Sequence, residues 1–409
     1  MRILESTQAA GLLARRGARM AEAEAVVRPI LDAVRTRGDA AVLEYSRKFD
    51  GFVGQASGLS TAGAAATLTP DFRHAVETAA ANVRAYAELQ MPGEWSREVR
   101  PGVKLGQIIR PLDTVAAYVP SGRYPLPSTV VMTVVPAQVA GVPNICIASP
   151  KPPREVLGTA EMLGISRVFQ IGGAQAIAAF AFGTETVPRA DRIVGPGNIY
   201  VAAAKKLLAG DVGIDFVAGP TEILMVAEDG DPRHIAADML AQAEHDVDAS
   251  AILLTTSRAL AEAVAAEVER QLAVLPTAPV AREAIERNSA AVIVGSLEEA
   301  MELANRFAPE HLSIPDESLL ARVKHAGSVF VGPFSPEAAG DYASGPNHVL
   351  PTSGAARIRG GLSVMDYVKI ISVQELTSEA LRALAPSITP LARAEGLEAH
   401  ARSVEVRTK

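Results

Sequence analysis

The spacing of apolar residues changes near Asp113. Up to about Pro111 they recur every three or four positions, the period of helices with one buried face. Val27 to Arg37 is periodic and stops at Gly38, and Asp39 caps a second helix running toward Phe49-Asp50-Gly51. Thr69-Pro70-Asp71 starts a third that continues past Tyr86. From Asp113 onward, short apolar runs alternate with amphipathic stretches. Strands are expected at Thr114 to Val119, Asn144 to Ser149, Arg167 to Ile171, Arg192 to Val194 and Ile214 to Val217, with helices between. A second alternating block follows Gly219-Pro220-Thr221-Glu222, with strands at Ile223 to Val226, Ala251 to Leu254, Ala291 to Val294 and Ser328 to Val331. Such alternation builds parallel sheets with helices on both faces, and ligands are expected in the loops at the carboxyl ends of the strands. From Ser372 the tail carries two short helical patterns separated by Pro386 and Pro390, too small to fold alone.

Composition narrows the function classes. The 409 residues carry a net charge of −7 with no basic cluster, which argues against a nucleic-acid or anionic-membrane surface. Cys146 is the only cysteine, so an intrachain disulfide and a thiolate metal site are both excluded. It lies in the apolar run Ile145-Cys146-Ile147, where packing explains it. Val130 to Ala148 is apolar, but Pro136, Gln138, Pro143 and Asn144 interrupt it, and it reads as a buried helix followed by a strand. With no basic-then-apolar segment at the N-terminus, the expectation is a soluble, cytoplasmic protein.

Five stretches carry candidate chemistry. In Ala308-Pro309-Glu310-His311-Leu312, a carboxylate and an imidazole follow a helix capped by Ser296. They offer two general bases at one place, provided that the backbone after Pro309 departs from a regular strand. Gln242 and His245 share one face near a helix end, either as ligands for a metal or as a polar terminus whose His suits the helix dipole. The loop Ser335 to His348 is dense in backbone-shaping residues and contributes Asp341 and His348 as candidate ligands. Gly172-Gly173-Ala174-Gln175 and Gly195-Pro196-Gly197-Asn198 each stand where a strand feeds a helix, where amides can meet a phosphate. Neither is a GxGxxG fingerprint.

Together these stretches resemble the histidinol dehydrogenase family, along with Arg37-Gly38-Asp39-Ala40-Ala41, Lys48-Phe49-Asp50-Gly51, Asn347-His348-Val349-Leu350-Pro351, and Glu395 with His400. The resemblance implies an α/β fold of two incomplete Rossmann-like lobes related to aldehyde dehydrogenases, with small N- and C-terminal helical segments. The expected divisions are 1–112 with 222–371 as a first lobe, 113–221 as an NAD-binding lobe, and 372–409 as a segment docking on the partner subunit. It further implies oxidation of L-histidinol through the aldehyde to L-histidine with two NAD+ and one zinc per subunit. Zinc would be held by Gln242, His245, Asp341 and His400, and NAD by Tyr118, Gln175 and Asn198. His311 would accept the hydroxyl proton and Glu310 would activate water. Substrate contacts would come from Thr221, Gln242, His245, His311, Asp341, His348, Glu395 and His400, in a homodimer with a shared site. Thr221 stands where some relatives carry Ser, a change that keeps the hydroxyl. The Gly- and Ala-rich region Val53 to Leu68 and the bulky loop Pro120-Ser121-Gly122-Arg123-Tyr124 depart from the family pattern. Two other readings stay open. One is a related dehydrogenase of another small alcohol, such as a sulfonated diol. The other is a non-catalytic metal-binding protein, against which the intact Glu310-His311 pair argues.

Overall fold

The computed structural model describes residues 1–13, 18–54, 58–121 and 124–409. Gly122 and Arg123 of the bulky loop, and part of the Gly- and Ala-rich region, lie outside them. The chain forms two compact units. One comprises Met1–Gln90 with Asp113–Tyr367, the other Met91–Leu112 with Val368–Lys409.

The larger unit holds two six-stranded sheets. In the first, the order is Leu59–Ser60, Arg167–Phe169, Asn144–Ala148, Thr114–Tyr118, Arg192–Val194, Gly213–Ile214. All its pairings are parallel except that of Leu59–Ser60. In the second the order is Arg2–Glu5, Ala290–Ile293, Ser250–Thr255, Glu222–Val226, His311–Ile314, Ser328–Val331, parallel throughout. This is the α/β architecture that the alternation of strand and helix patterns implied. The order in which strands are added reverses once in each sheet, between Thr114–Tyr118 and Arg192–Val194 in the first and between Glu222–Val226 and His311–Ile314 in the second. Crevices form at such switch points.

Both sheets read as continuous apolar runs because they are covered on two faces. Ile223, Met225 and Leu253 pack under Pro232–Ala243 and Arg258–Leu272, while Leu224, Ile252 and Leu312 pack under Leu297–Phe307. The N-terminal helices Ala18–Arg37 and Asp39–Asp50 bury Val27, Leu31, Val34 and Val42 against Ile177, Phe180 and Ile193 of the first sheet's layer. They therefore pack with residues 113–221, whereas only the N-terminal strand Arg2–Glu5 joins the second sheet. No helix among the described residues is long and apolar enough to cross a membrane.

In the smaller unit, Trp95–Arg100, Val103–Pro111 and Val368–Leu376 form a three-stranded antiparallel sheet. Helical periodicity does not extend to Pro111. The tail forms one helix, Ser378–Ala394, running through both Pro386 and Pro390, followed by Glu398–Thr408. Each proline removes only one backbone donor, and here the helix continues past both.

Candidate active site

The helix Leu297–Phe307 starts with the Ser296 hydroxyl accepting from the Glu299 amide (3.2 Å) and ends at Ala308, held left-handed at φ 54°. Pro309 follows and the next strand begins only at His311. Glu310 is thus outside the strand's alternation, and both side chains reach one place, with Glu310 Oε2 3.6 Å from His311 Nδ1. The Glu310 carboxylate is 6% exposed and accepts from the Thr221 hydroxyl (2.6 Å) and the Glu222 amide (2.9 Å). Burial raises its pKa above the usual carboxylate range. His311 Nδ1 lies 3.1 Å from the Glu222 carbonyl, to which it donates. Its Nε2 has no hydrogen-bond partner and lies 3.8 Å from Asp341 Oδ1, too far for a hydrogen bond. Burial pulls the imidazole pKa down, but the carboxylates of Glu337, Glu310 and Asp341 outweigh it and raise it to about 10.

Strand register places this pair in the second sheet. Ile223 is paired with His311, and His311 with Ser328, so Thr221, Glu222, Glu310 and His311 all cluster at the amino ends of the strands. The helix Pro232–Ala243 runs back to the same edge, bringing the fully buried Gln242 and, just past its end, His245. The short helix Glu337–Tyr342 brings Asp341, with its Oδ2 3.9 Å from His245 Nε2. Glu337, 2% exposed, completes a group in which ligand atoms of His245, Glu337 and Asp341 all lie within 4.8 Å of one another. Burial raises Glu337 to about 8. Burial acts the same way on Asp341, but the imidazoles of His311, His348 and His245 hold it below its ordinary value.

The Gln242 carboxamide adjoins this group. With its nitrogen donating to Thr221 (2.5 Å), its oxygen faces the Glu337 carboxylate, acceptor against acceptor. Turned over, the oxygen accepts from the Glu222 amide (2.8 Å) and the nitrogen donates to Glu337. The second orientation satisfies the groups without an ion, and a cation between Gln242 and Glu337 favours the first. Oxygen and nitrogen donors alone, with one side open to a cleft, fit a divalent ion of the zinc type.

The cleft has a volume of about 370 Å³ and is lined by His311, Phe330, Gly340, Asp341, Asn347 and His348 among others. Gly340 is required there, since a Cβ would stand 2.7 Å from the Phe330 ring that packs beside His311. His348 donates from Nδ1 to the Asp341 carbonyl (2.8 Å), which leaves Nε2 as the acceptor 3.3 Å from the Thr129 hydroxyl. Thr129 lies at the start of the helix Pro127–Ala140. That helix follows the strand Thr114–Tyr118, so the carboxyl edge of the first sheet meets the cleft at this residue.

Tyr118 ends one strand of the first sheet at that carboxyl edge, and Gln175 and Asn198 follow two others. Tyr118 accepts from the Gly173 amide (3.0 Å). Gln175 is fully buried and donates to Asp50 (3.1 Å), while its Oε1 has no partner. Asn198 caps the helix Ile199–Leu208 by accepting from the Tyr200 and Val201 amides, which occupies its oxygen. An orphaned buried carboxamide oxygen beside two helix N-termini fits a polar, phosphate-bearing cofactor.

A family model described as histidinol dehydrogenase matches residues 13–408. A histidinol dehydrogenase of Geobacter sulfurreducens is 48% identical over 98% of this chain and 96% of its own length. One from Thermus thermophilus is 51% identical over 94% of each. The crystal structure of histidinol dehydrogenase from Elizabethkingia anophelis superposes with a TM-score of 0.93 at 35% identity, covering 100% of this chain and 98% of that one. The chain belongs to the histidinol dehydrogenase family. It is accordingly an oxidoreductase.

Of the residues that the resemblance to histidinol dehydrogenase singled out, Thr221, Gln242, His245, Glu310, His311, Asp341 and His348 gather around one cleft. Tyr118, Gln175 and Asn198 line the other edge. Glu395 and His400 belong to the smaller unit, where Glu395 ends one helix, Gly396 turns the chain at φ 75°, and His400 sits on the next helix. Two residues at the cleft were missed. Glu337 had a signal, since it stands four residues before Asp341 and so shares its helix face. Thr129 had none, because its contact with His348 spans 219 positions.

Proposed function

We propose that this chain oxidises L-histidinol through L-histidinal to L-histidine, with two NAD+ in succession and one zinc per subunit, in the cytoplasm. The observation carrying this reading is the burial of Glu310 and His311 together at the head of a cleft that also holds Asp341 and His348. In this reading Gln242, His245 and Asp341, with His400 of the partner subunit, hold the zinc of a homodimer. Bound there, zinc supplies positive charge that orients the substrate's imidazole and amine and offsets the carboxylates that raise His311.

His311 takes the hydroxyl proton at Nε2, the nitrogen without a partner, as the carbinol hydrogen leaves as hydride to NAD+. Its Nδ1–H stays on the Glu222 carbonyl, which fixes the ring and its tautomer. Glu310 then draws a proton from water as the water attacks the aldehyde carbon. A buried carboxylate with a raised pKa is a stronger base than a solvated one. Thr221 aims that carboxylate through its hydroxyl, and His311, once its first proton has passed to solvent, accepts the hydroxyl proton of the hydrate as its hydride leaves to the second NAD+. His348 and Glu395 of the partner subunit contact the substrate, while Tyr118, Gln175 and Asn198 hold NAD. The deciding assay is NAD+ reduction with L-histidinol against a panel of small alcohols, including a sulfonated diol. Four electrons per histidinol, with histidine as the product, are expected. Turnover of another panel alcohol with none of histidinol would overturn the reading.

A further inference from the structure

A buried ion pair stands behind the turn Gly195-Pro196-Gly197-Asn198. Lys205 and Asp215 are 2.7 Å apart, with side chains 3% and 0% exposed. Both grip the same residue. The Gly195 amide donates to Asp215 Oδ2 (2.8 Å), and the Gly195 carbonyl accepts from Lys205 Nζ (2.5 Å). Asp215 Oδ1 also accepts from the Phe216 amide (2.7 Å). Gly195 cannot be replaced or moved easily, since it holds φ 106° and a Cβ there would lie 2.3 Å from the Tyr118 carbonyl oxygen. Lys205 sits two turns into the helix that Asn198 caps, so the helix reaches back and fastens the turn from which it starts.

A buried pair of this kind is poor evidence for stability, because apolar residues of similar size often serve as well. What apolar residues cannot do is supply a donor and an acceptor to one backbone unit facing the interior. We infer that Lys205 and Asp215 are positioning residues for NAD, holding the Gly195–Asn198 turn in the shape that cofactor binding requires. The inference rests on the reading that NAD meets this turn. Neither residue touches the cleft where the proton transfers take place.

The test compares three variants by NAD+ affinity, steady-state kinetics and thermal unfolding. Lys205→Met/Asp215→Leu removes both charges and the grip on Gly195. Lys205→Gln/Asp215→Asn keeps a neutral donor and acceptor. Asn198→Ala probes the turn itself. The apolar pair is expected to raise the Kd and KM for NAD+ by about tenfold or more while kcat at saturating NAD+ and zinc content stay within about twofold. The neutral pair should recover much of that loss and also serves if the apolar pair does not fold. A folded apolar pair with wild-type NAD+ affinity, whatever its melting temperature, would reduce Lys205 and Asp215 to a structural role and overturn the inference. If Asn198→Ala also binds NAD+ normally, the placement of NAD at the turn is what fails. If only Asn198→Ala weakens binding, the placement stands and the pair's positioning role is refuted.

Discussion

The two sheets of the larger unit put their chemistry at opposite edges. The first uses the carboxyl ends of its strands, where Gly173–Phe182 and Ile199–Leu208 begin and the positive ends of the helices favour an anion. The second uses the amino ends, where Pro232–Ala243 finishes and delivers Gln242 and His245. Helix carboxyl ends carry partial negative charge and favour cations. One alternation of strand and helix therefore provides two edges of opposite polarity, one suited to a dinucleotide's phosphates and the other to a metal ion and a protonated imidazole. The first edge is shaped mostly by backbone, the second almost wholly by side chains, and the two meet where Thr129 approaches His348.

The largest effects should come from the side-chain edge. Replacing His311 with Asn should slow both oxidations, whereas Glu310→Gln should slow conversion of aldehyde to acid more than alcohol to aldehyde. Losing a general base costs about 10²- to 10⁴-fold. Both variants should keep NAD+ affinity near wild type, since neither lies at the carboxyl edge. Equal losses in the two half-reactions of Glu310→Gln, followed with histidinol and histidinal separately, would break the division of roles.

Metal dependence gives the next largest effect. Chelation should abolish histidinol oxidation and zinc should restore it, while circular dichroism of the metal-free protein stays folded. Glu337→Gln keeps the shape of a side chain that faces Gln242 and lies within reach of His245 and Asp341. Loss of its charge should weaken zinc binding by about 10- to 100-fold, the range seen when groups supporting a metal's ligands are replaced. Zinc titration against a competing chelator would detect this. An unchanged zinc affinity would leave Glu337 outside the site.

At the backbone edge the expected change is smaller and of a different kind. Gln175→Ala removes the carboxamide whose Oε1 is unpartnered, and with it the hydrogen bond to Asp50. The KM for NAD+ should rise by about tenfold, in line with about 1–3 kcal/mol for a buried polar contact, with kcat at saturating NAD+ nearly unchanged. A fall in kcat at unchanged KM would move Gln175 to the chemical step and blur the contrast between the edges.

How much of this was legible in the sequence follows from what each region buries. The central strands could be read from runs such as Glu222–Val226, because covering helices on both faces demand unbroken apolar residues. Trp95–Arg100 could not, since all six of its residues are exposed and no burial pattern marks it as a strand. Val368–Leu376 finds its partner about 260 positions away along the chain, a pairing that no local signal announces. The Glu310-His311 pair was legible as chemistry, and the condition attached to it, an irregular backbone after Pro309, is met because the strand begins only at His311 and leaves Glu310 outside it. The cluster around it was only partly legible. Gln242, His245 and Asp341 came from motifs, but the buried Glu337 becomes a candidate only once the helix face is known to turn inward.

The smallest expected effect concerns a residue at neither edge. Cys146 pairs with Ala116 in the middle of the first sheet, and burial raises its thiol from its ordinary value near 9 to about 11. The neutral thiol is thus the form that the fold prefers. Because the folded pKa lies above the unfolded one, this contribution to stability is fully present below about pH 9 and is lost as pH rises through about 11. It amounts to at most about 3 kcal/mol. Cys146→Ser does not ionise in that window, so its stability, followed by urea unfolding, should fall less steeply than wild type between pH 9 and 11, while turnover and NAD+ affinity at neutral pH stay within about twofold. With about a hundredfold less thiolate than a solvated cysteine at pH 8, the folded protein should also react correspondingly slowly with a thiol reagent. Fast labelling accompanied by loss of NAD+ binding would place Cys146 at the cofactor edge and remove the neutral middle that separates the two regions.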